Sequence, residues 1–256
     1  MTSPVFDEYA NYYDLLYQDK DYEAEVNYID ESISSRIPPR RKLLELGSGT
    51  GIHGILLAEK GYHVQGIELS SVMVEQAATR AHDCKDHQGS FQCRQGDART
   101  TNTGETYDAV LALFHVVSYQ IEDNDVSQMF QNARRHLENS GTFFFDVWHT
   151  PAVQSQQPEV RVKRMQSDKL EITRIAEPSI LTDQIVEVNY TLFARDLESN
   201  TIREARERHS MRHFTPDEIA EFASEANFTV KMSAEFGTGA SPSQQTWGVG
   251  YLLEPS

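Results

Sequence analysis

The stretch "LLELGSGTG" at residues 43–51 decides the fold, because its glycines can be counted in two ways. Counted from Gly49, they continue to Gly54 as the G-x-G-x-x-G turn that holds the pyrophosphate of a dinucleotide. Counted from Glu45, the same residues read acid-x-G-x-G-x-G. A pyrophosphate would repel a carboxylate at that distance, whereas a ligand with an ammonium and a sulfonium would attract it. The second count therefore predicts a site for S-adenosylmethionine.

Acidic residues at the ends of two further predicted strands agree with the second count. Glu68 closes the strand at 63–69, where a carboxylate can accept hydrogen bonds from both ribose hydroxyls of either kind of cofactor. Asp97 lies in the exit turn of the third strand, within 91–98, and can accept from the exocyclic amine of adenine. Open α/β sheets bind ligands in a crevice at the carboxyl ends of their strands. Glu45, Glu68 and Asp97 are therefore expected to converge on one cofactor.

Strand and helix patterns alternate from residue 21 to about 150, which predicts a parallel, doubly wound sheet. Between about 160 and 213, apolar residues alternate with polar or charged ones, which predicts an antiparallel meander with one solvent-facing side. A helix capped by Thr215 and two final strands follow. The five strands of the parallel part are expected within residues 42–46, 63–69, 91–98, 107–114 and 140–148.

Composition limits the partners of the chain. The net charge of -16 and the pI of about 4.9 give a surface that repels nucleic acid and anionic lipid. Cys84 and Cys93 fit neither a metal site nor a disulfide framework. The acidic, aromatic amino end does not resemble a signal peptide, and no apolar run approaches the ~20 residues of a membrane helix. We therefore expect a cytoplasmic protein with no bound metal, no nucleic-acid partner and no membrane association.

The sequence resembles the class I S-adenosylmethionine-dependent methyltransferases. The motifs that carry the resemblance are residues 45–51, 66–70 with Met73, 96–98 and 107–110. Residues 212–228, "RHFTPDEIAEFASEANF", look like the late helix that precedes the last two strands of that family. The resemblance implies an α/β fold with a Rossmann-like, doubly wound, seven-stranded and mostly parallel sheet whose final strand is antiparallel. The antiparallel β segment is then an insertion in this fold.

The chain is also similar to the bacterial nucleotide-sugar N-methyltransferases that build dimethylamino sugars. This likeness rests on "YDLLY" at 13–17, on "KDY" at 20–22 and on the late antiparallel segment. It implies a small-molecule acceptor, with Tyr17 facing the acceptor and Lys20 near the carboxylate of the cofactor. The chain departs from these proteins after the fourth strand, where it has "HVVSYQ", and after the fifth, where Asp146 begins "DVWH" in place of a glutamate-led run.

These observations divide the chain into two predicted domains. Residues 1–150 and 214–256 are expected to form the methyltransferase domain that binds S-adenosylmethionine, with an aromatic lid region at 1–36. Residues 151–213 are expected to cover the acceptor pocket, to form a homodimer interface, or both, since so few strands are not stable alone. Four cations of this segment either contact the phosphates of a nucleotide-linked substrate or lie on the solvated face of the meander: Arg161, Lys163, Arg164 and Arg174.

The candidate site residues form two sets. Three histidines, His136, His209 and His213, are interpreted as surface groups and belong to neither set. The candidates for catalysis are Tyr17 in the lid region, His115 and Tyr119 after the fourth strand, and Asp146 at the end of the fifth strand with Trp148. The candidates for cofactor binding are Lys20, Glu45, Gly47, Ser48, Gly49, Thr50, Gly51, Glu68, Leu69, Met73, Gly96, Asp97, Ala98 and Leu113.

The sequence therefore predicts an enzyme that transfers a methyl group from S-adenosylmethionine to a small molecule, an amine such as an amino sugar on a nucleotide. An amine is favoured because His115, Tyr119 or Asp146 can take an ammonium proton, whereas a hydroxyl acceptor needs a stronger base. The alternatives are an O-methyltransferase of a small metabolite, a nicotinamide-dependent oxidoreductase, and a protein that binds S-adenosylmethionine without turnover. The expected partners are the acceptor and a second copy of the chain in a homodimer.

Overall fold

The computed structural model describes residues 9–37, 41–83 and 88–256. Within these ranges the chain forms eleven β-strands, seven α-helices and two 3₁₀ turns, Tyr9–Tyr12 and Val116–Tyr119. The helices are α1 (Tyr13–Leu16), α2 (Tyr22–Ile33), α3 (Ile52–Glu59), α4 (Ser71–Asp83), α5 (Asp123–Arg135), α6 (Thr150–Ser155) and α7 (Pro216–Glu225). The strands are β1 (Lys42–Leu46), β2 (His63–Glu68), β3 (Ser90–Gln95), β4 (Tyr107–Ala112), β5 (Leu137–His149), β6 (Arg161–Gln166), β7 (Leu170–Thr182), β8 (Ile185–Asp196), β9 (Ile202–Phe214), β10 (Phe228–Glu235) and β11 (Gly248–Pro255).

Seven strands form the main sheet, in the order β3-β2-β1-β4-β5-β11-β10. Neighbours from β3 to β5 are parallel, and β11 is antiparallel to both β5 and β10. This arrangement confirms the predicted fold class. The strand order reverses between β1 and β4, and the carboxyl ends of strands on the two sides of such a reversal open a crevice for ligands.

The run Phe143-Phe144-Phe145 in β5 shows how the sheet is covered on both faces. The ring centroids of Phe143 and Phe145 lie 5.4 and 5.2 Å from that of Phe130 in α5. The ring of Phe144 faces the other way, 6.2 Å from that of Tyr28 in α2. Successive side chains of a strand point to opposite faces, so an unbroken apolar run marks a strand buried on both sides.

Strands β6 to β9 pair in sequence order as the predicted antiparallel meander. The end of β9 also pairs with the end of β5, through Trp148 with His213. The meander is therefore joined to the main sheet at the carboxyl end of β5. We call its inner face the side that carries Ile172, Leu192 and Ala205, which are buried with Tyr9 and Leu16 of the amino-terminal segment.

Two elements differ from the prediction. Strand β7 continues through Pro178 to Thr182, past Ala176, where its pairing with β6 ends. One side of this part of β7 is thus an edge, which is where a strand tolerates proline. Helix α6 was not predicted, although Pro151 in its first turn favours a helix start. The predicted cap of α7 is confirmed, since Thr215 and Glu218 form a reciprocal capping box.

The interpretation of three histidines as surface groups is wrong, because His136, His209 and His213 are buried. His136 accepts a hydrogen bond from the backbone N of Thr103 at 2.9 Å, and Nδ1 of His213 lies 2.8 Å from Oγ1 of Thr150. Burial lowers the pKa of both imidazoles. The charged neighbours of His209 and His213 in β9 made this strand look solvated, yet its alternate residues face the interior.

The two cysteines differ in what the structure describes. Cys93 is a free thiol, and burial raises its pKa to about 11. Cys84 lies outside the described residues. Within the described ranges, no helix is both long enough and apolar enough to span a membrane.

Candidate active site

A cavity of about 570 Å³ opens between the carboxyl ends of the parallel strands and the inner face of the meander. This volume lies in the range of small-molecule sites. One part of its wall carries predicted cofactor residues: Gly47, Gly49, Glu68, Leu69, Met73, Gly96, Asp97, Ala98 and Leu113. The other part, which we call the acceptor end, carries Tyr17, His115 and Tyr119 with Trp148, Arg161, Tyr190, His209 and Met211.

The turn after β1 requires glycine at two positions. Gly47 and Gly51 have φ angles of +72° and +81°, in the left-handed region that other residues rarely adopt. A Cβ on Gly47 would lie 2.6 Å from Cγ2 of Val116, and a Cβ on Gly51 would lie 2.6 Å from the ring of Phe91. The turn therefore packs closely on both neighbours while its backbone reaches the cavity at Gly47 and Gly49.

The carboxylate of Glu68 is held at the end of β2 by two backbone amides. Its oxygens accept hydrogen bonds from Gly49 N and Ser70 N, both at 2.9 Å. Burial raises the pKa of Glu68, and these amide hydrogen bonds oppose that rise. Because each carboxylate oxygen has two lone pairs, Glu68 can still accept from ribose hydroxyls in the cavity. Its predicted contact with the ribose stays a prediction.

The wall next to Glu68 offers an apolar surface and a second acid. Leu69 is 64% exposed although it is a large apolar side chain, so a ring bound in the cavity would cover it. Asp97 accepts from the backbone N of Arg99 at 2.8 Å and from Nη2 of Arg99 at 2.6 Å. Arg99 holds the pKa of Asp97 below its usual value, so Asp97 remains an anionic acceptor at the cavity wall.

Glu45 lies behind the cavity wall rather than on it, with 1% of its surface exposed. Its Oε2 has no hydrogen-bond partner among the described residues. Burial, with the charge of Glu68, raises the pKa of Glu45 to about 8, so the carboxyl is largely protonated at neutral pH. A cation bound in the cavity would favour the ionised form. The buried, unpartnered carboxyl therefore fits the predicted cationic cofactor.

The raised pKa of Glu45 predicts a pH-dependent stability. The folded chain binds this proton more tightly than the unfolded chain, so folding stability falls as pH rises from about 4.5 to about 8. Glu45→Gln removes this loss and should raise the free energy of unfolding at pH 8 by several kcal/mol, at about 1.4 kcal/mol per pH unit. Urea unfolding at pH 5 and pH 8 measures the difference between the two proteins.

The control for this prediction is Glu75→Gln, on the exposed side of α4, which should leave stability almost unchanged at both pH values. An equal effect of Glu45→Gln at pH 5 and pH 8 would contradict the assignment of the buried proton to Glu45.

Five other predicted residues do not lie on the cavity wall: Lys20, Ser48, Thr50, Gly51 and Asp146. The ammonium of Lys20 pairs with Glu25 and lies 4.6 Å from the ring centroid of Phe114. Oγ1 of Thr50 donates to Asp14 at 2.7 Å, and Oγ of Ser48 lies 3.2 Å from Sγ of Cys93. These side chains are engaged within the protein, so their predicted contacts with the cofactor stay predictions.

A strained turn after β4 directs His115 to the acceptor end. Phe114 and His115 have φ angles of +61° and +64°, a conformation that strains residues other than glycine and that clusters at functional sites. Oδ2 of Asp146 accepts from the backbone N of His115 at 3.1 Å and lies 2.6 Å from its Nδ1. Burial acts to raise the pKa of Asp146, but the contacts with His115 outweigh burial and lower it. Asp146 therefore holds His115 in place from a position behind the cavity wall.

Three polar side chains connect the acceptor end to the meander. The hydroxyl of Tyr119 lies 2.9 Å from Nδ1 of His209, and Nε2 of His209 lies 3.0 Å from Oε2 of Glu207. Sequence reasoning missed His209 and Glu207. The signal was their alternation with Arg206 and Arg208, which places the arginines on the outer face and the other two on the inner face.

The four cations of residues 151–213 lie in different surroundings. Arg161 is exposed on the cavity wall, and Nζ of Lys163 pairs with Asp19 at 2.6 Å. Nη1 of Arg174 donates to the hydroxyls of Tyr9 and Tyr17 at 2.9 and 3.2 Å. Arg164 is exposed. It follows Lys163 directly along β6, so its side chain points to the opposite, outer face of the meander.

Comparison with known proteins identifies the domain around the glycine turn. Residues 43–141 match the family described as methyltransferase domain. These residues form a class I S-adenosylmethionine-dependent methyltransferase domain. The match confirms the predicted family and its cofactor, S-adenosylmethionine. The methyltransferase domain match contains Glu68, Asp97, His115 and Tyr119, and ends before Asp146 and the meander.

One relative and two solved structures extend this finding. The chain is 31% identical over 146 residues to a Streptomyces venezuelae dTDP-3-amino-3,4,6-trideoxy-alpha-D-glucopyranose N,N-dimethyltransferase, over 56% of this chain and 59% of that protein's length. Its fold is similar to that of Streptomyces venezuelae DesVI, with a TM-score of 0.81 and 22% identity over 97% and 98% of the two chains. It is also similar to S-adenosylmethionine-bound CalS10, an amino pentose methyltransferase from Micromonospora echinaspora, with a TM-score of 0.75 and 20% identity over 100% of both chains.

Proposed function

We propose that this protein transfers a methyl group from S-adenosylmethionine to the amino group of a small molecule, such as an amino sugar linked to a nucleotide. The observation that carries the proposal is the continuity of the cavity. It runs from the glycine turn and the acids of the parallel strands to the aromatic acceptor end. Cofactor and acceptor can therefore meet in one enclosed space. The N,N-dimethyltransferase named above supports an amino sugar as the acceptor.

The proposed cofactor end uses the residues of the three strand ends. Glu68 would accept from the ribose, Leu69 would cover the adenine, and Glu45 would balance the positive charge of the ligand. S-adenosylmethionine, when bound, supplies an electrophilic methyl group on a sulfonium. The chain then has to hold the acceptor nitrogen in line with that group, and such positioning contributes about 7–11 kcal/mol in favourable cases.

The acceptor end suits an amine better than a hydroxyl. Its wall is rich in aromatic rings, including Tyr17, Tyr119, Trp148 and Tyr190, and aromatic faces attract ammonium groups. His115, held by Asp146, and Tyr119 both face this end, where such groups can accept a proton from an ammonium, whereas an alcohol needs a stronger base. These features favour N-methylation over O-methylation.

Two assignments complete the proposal. Residues 151–213 would cover the acceptor end, since inner-face residues Arg161, Tyr190, His209 and Met211 lie on its wall. Arg161 and the nearby Arg174 would attract the phosphates of a nucleotide-linked acceptor. We also propose that the outer part of this segment contributes to a homodimer, supported by its exposed apolar side chains, among them Val162 and Phe193.

A nicotinamide-dependent oxidoreductase is disfavoured by one hydrogen bond. In a dinucleotide turn, the backbone amides of the glycine loop face the pyrophosphate. Here the amide of Gly49 donates to the carboxylate of Glu68. A pyrophosphate at this amide would lie against that carboxylate, which would repel it.

The choice between the two cofactors predicts a thermal shift. S-adenosylhomocysteine at 100 times its dissociation constant should add about 2.7 kcal/mol of stability. For a chain of this size such a gain raises Tm by roughly 5–10 °C. NAD at the same concentration should leave Tm unchanged. Stabilisation by NAD and none by S-adenosylhomocysteine would refute the proposed function.

A further inference from the structure

A line of polar side chains runs from Tyr119 along the acceptor end to strand β9 of the meander. It begins at Tyr119, on the cavity wall, continues through His209, which is 2% exposed, and ends at Glu207. The two successive distances, 2.9 and 3.0 Å, are those of hydrogen bonds. The three side chains come from two elements that are distant in sequence, the turn after β4 and strand β9.

The partners fix the direction of these hydrogen bonds. We assign Glu207 as an ionised carboxylate, which only accepts, and the proton of His209 then lies on Nε2, which donates to Glu207. Nδ1 is then the acceptor, and the hydroxyl of Tyr119 donates to it. The other oxygen of Glu207 accepts from the backbone N of Tyr9 at 2.9 Å, which holds the carboxylate in place. The hydroxyl proton of Tyr119 is thus directed toward His209.

Aromatic and charged groups pack around His209. Tyr9 and Tyr190 contact its ring, with centroid distances of 5.6 and 4.9 Å. Arg174 lies over the ring of Tyr190, 5.2 Å from its centroid, and also bonds Tyr17. Glu207 lies in direct contact with the imidazole, whereas Arg174 acts from behind Tyr190. Glu207 is therefore the charged group nearest to the imidazole of His209.

We propose that Tyr119, His209 and Glu207 form a proton relay that deprotonates the amine acceptor. The proposal rests on the proposed function. An N–H bond of the acceptor ammonium breaks, its electron pair stays on nitrogen, and the proton bonds to the oxygen of Tyr119. The O–H bond of Tyr119 breaks in the same step, and its proton bonds to Nδ1 of His209. The resulting imidazolium is stabilised by Glu207, and the proton leaves by the reverse route after the product has gone.

Tyr119 stays neutral before and after this step. Burial raises the pKa of its phenol well above the usual value, so a free phenolate does not form at neutral pH. A hydroxyl that receives one proton while it donates another avoids that charge. The relay also matters for repeated transfer, because a methylated amine is again an ammonium and must lose a proton before it can accept a second methyl group.

The test measures methyl transfer to dTDP-3-amino-3,4,6-trideoxy-alpha-D-glucopyranose from pH 6.5 to pH 9.5. His209→Gln should lower kcat about 100-fold at pH 6.5, within the range of general acid–base effects, and only a few-fold at pH 9.5, where free amine is supplied by the solution. The matched control is Arg206→Gln, on the outer face of the same strand, which should follow the wild-type profile. The ratio of dimethylated to monomethylated product should also fall in His209→Gln.

A purely structural role for His209 would lower kcat by the same factor at every pH, and that result would overturn the relay. Tyr119→Phe provides a second variant, which should show the same loss confined to low pH and tests the relay if His209→Gln does not fold. If the wild-type protein methylates the acceptor and the pH profile of Tyr119→Phe runs parallel to the wild-type profile, the relay alone is refuted. No turnover of any amine by a wild-type protein that binds S-adenosylhomocysteine would refute the proposed function and the relay with it.

Discussion

Replacing Glu68 with alanine is expected to weaken the binding of S-adenosylhomocysteine about 10- to 100-fold, which corresponds to the loss of one or two charge-assisted hydrogen bonds. Glu68 would provide the acceptor for the ribose hydroxyls, and its carboxylate also holds Gly49 and Ser70 by their backbone amides. The alanine variant loses both functions at once. Isothermal titration calorimetry of the two proteins measures the change in Kd.

Two comparisons show whether this effect is local. Glu75→Ala, at an exposed position of α4, should bind S-adenosylhomocysteine with wild-type affinity. Tyr119→Phe should also keep that affinity, because Tyr119 belongs to the acceptor end. A similar loss in Glu68→Ala and Tyr119→Phe would contradict the division of the cavity into a cofactor part and an acceptor part.

Asp146→Asn is expected to lower kcat on the order of 100-fold while changing the Kd for S-adenosylhomocysteine by less than about threefold. The buried carboxylate accepts from the backbone N of His115 and places a negative charge 2.6 Å from Nδ1 of its imidazole. Asparagine has nearly the same shape but carries no charge. The turn at Phe114 and His115 keeps an oxygen acceptor for its backbone N, but the imidazole loses the negative charge beside it. Steady-state methyl-transfer assays and calorimetry separate the two quantities.

The matched pair for this prediction consists of two histidines. His115→Ala should reproduce the loss of turnover, whereas His63→Ala, exposed at the start of β2, should have no effect. Full activity of Asp146→Asn would show that the carboxylate has no part in positioning His115.

The cofactor end was predictable because local sequence determines it. Glycine is required after a strand where the backbone has a positive φ angle or passes close to a neighbour. Gly47 and Gly51 meet both conditions. Acids at successive strand ends meet because parallel strands place their carboxyl ends along one edge. Glu68 and Asp97 therefore reached the cavity wall as expected, although Glu45 is screened behind it.

The acceptor end was less predictable because long-range packing builds it. His209 looked like a surface residue among arginines, and it is buried only because the inner face of β9 packs against Tyr9 and Tyr119. The orientation of Asp146 toward His115 depends on a left-handed turn at two residues that carry no glycine signal. Tyr119 and His209 are 90 residues apart and His115 and Asp146 are 31 apart, and neither periodicity nor a short motif records such contacts.

The most direct test of the proposed function is a product analysis with S-adenosylmethionine labelled in its methyl group and dTDP-3-amino-3,4,6-trideoxy-alpha-D-glucopyranose. Mass spectrometry should find the sugar nucleotide heavier by one or two labelled methyl groups on nitrogen, with one S-adenosylhomocysteine formed for each transfer. The assignment of the cavity to amine methylation would be contradicted if this acceptor stayed unmodified and no S-adenosylhomocysteine appeared when a wider panel of amino sugars was offered as acceptors.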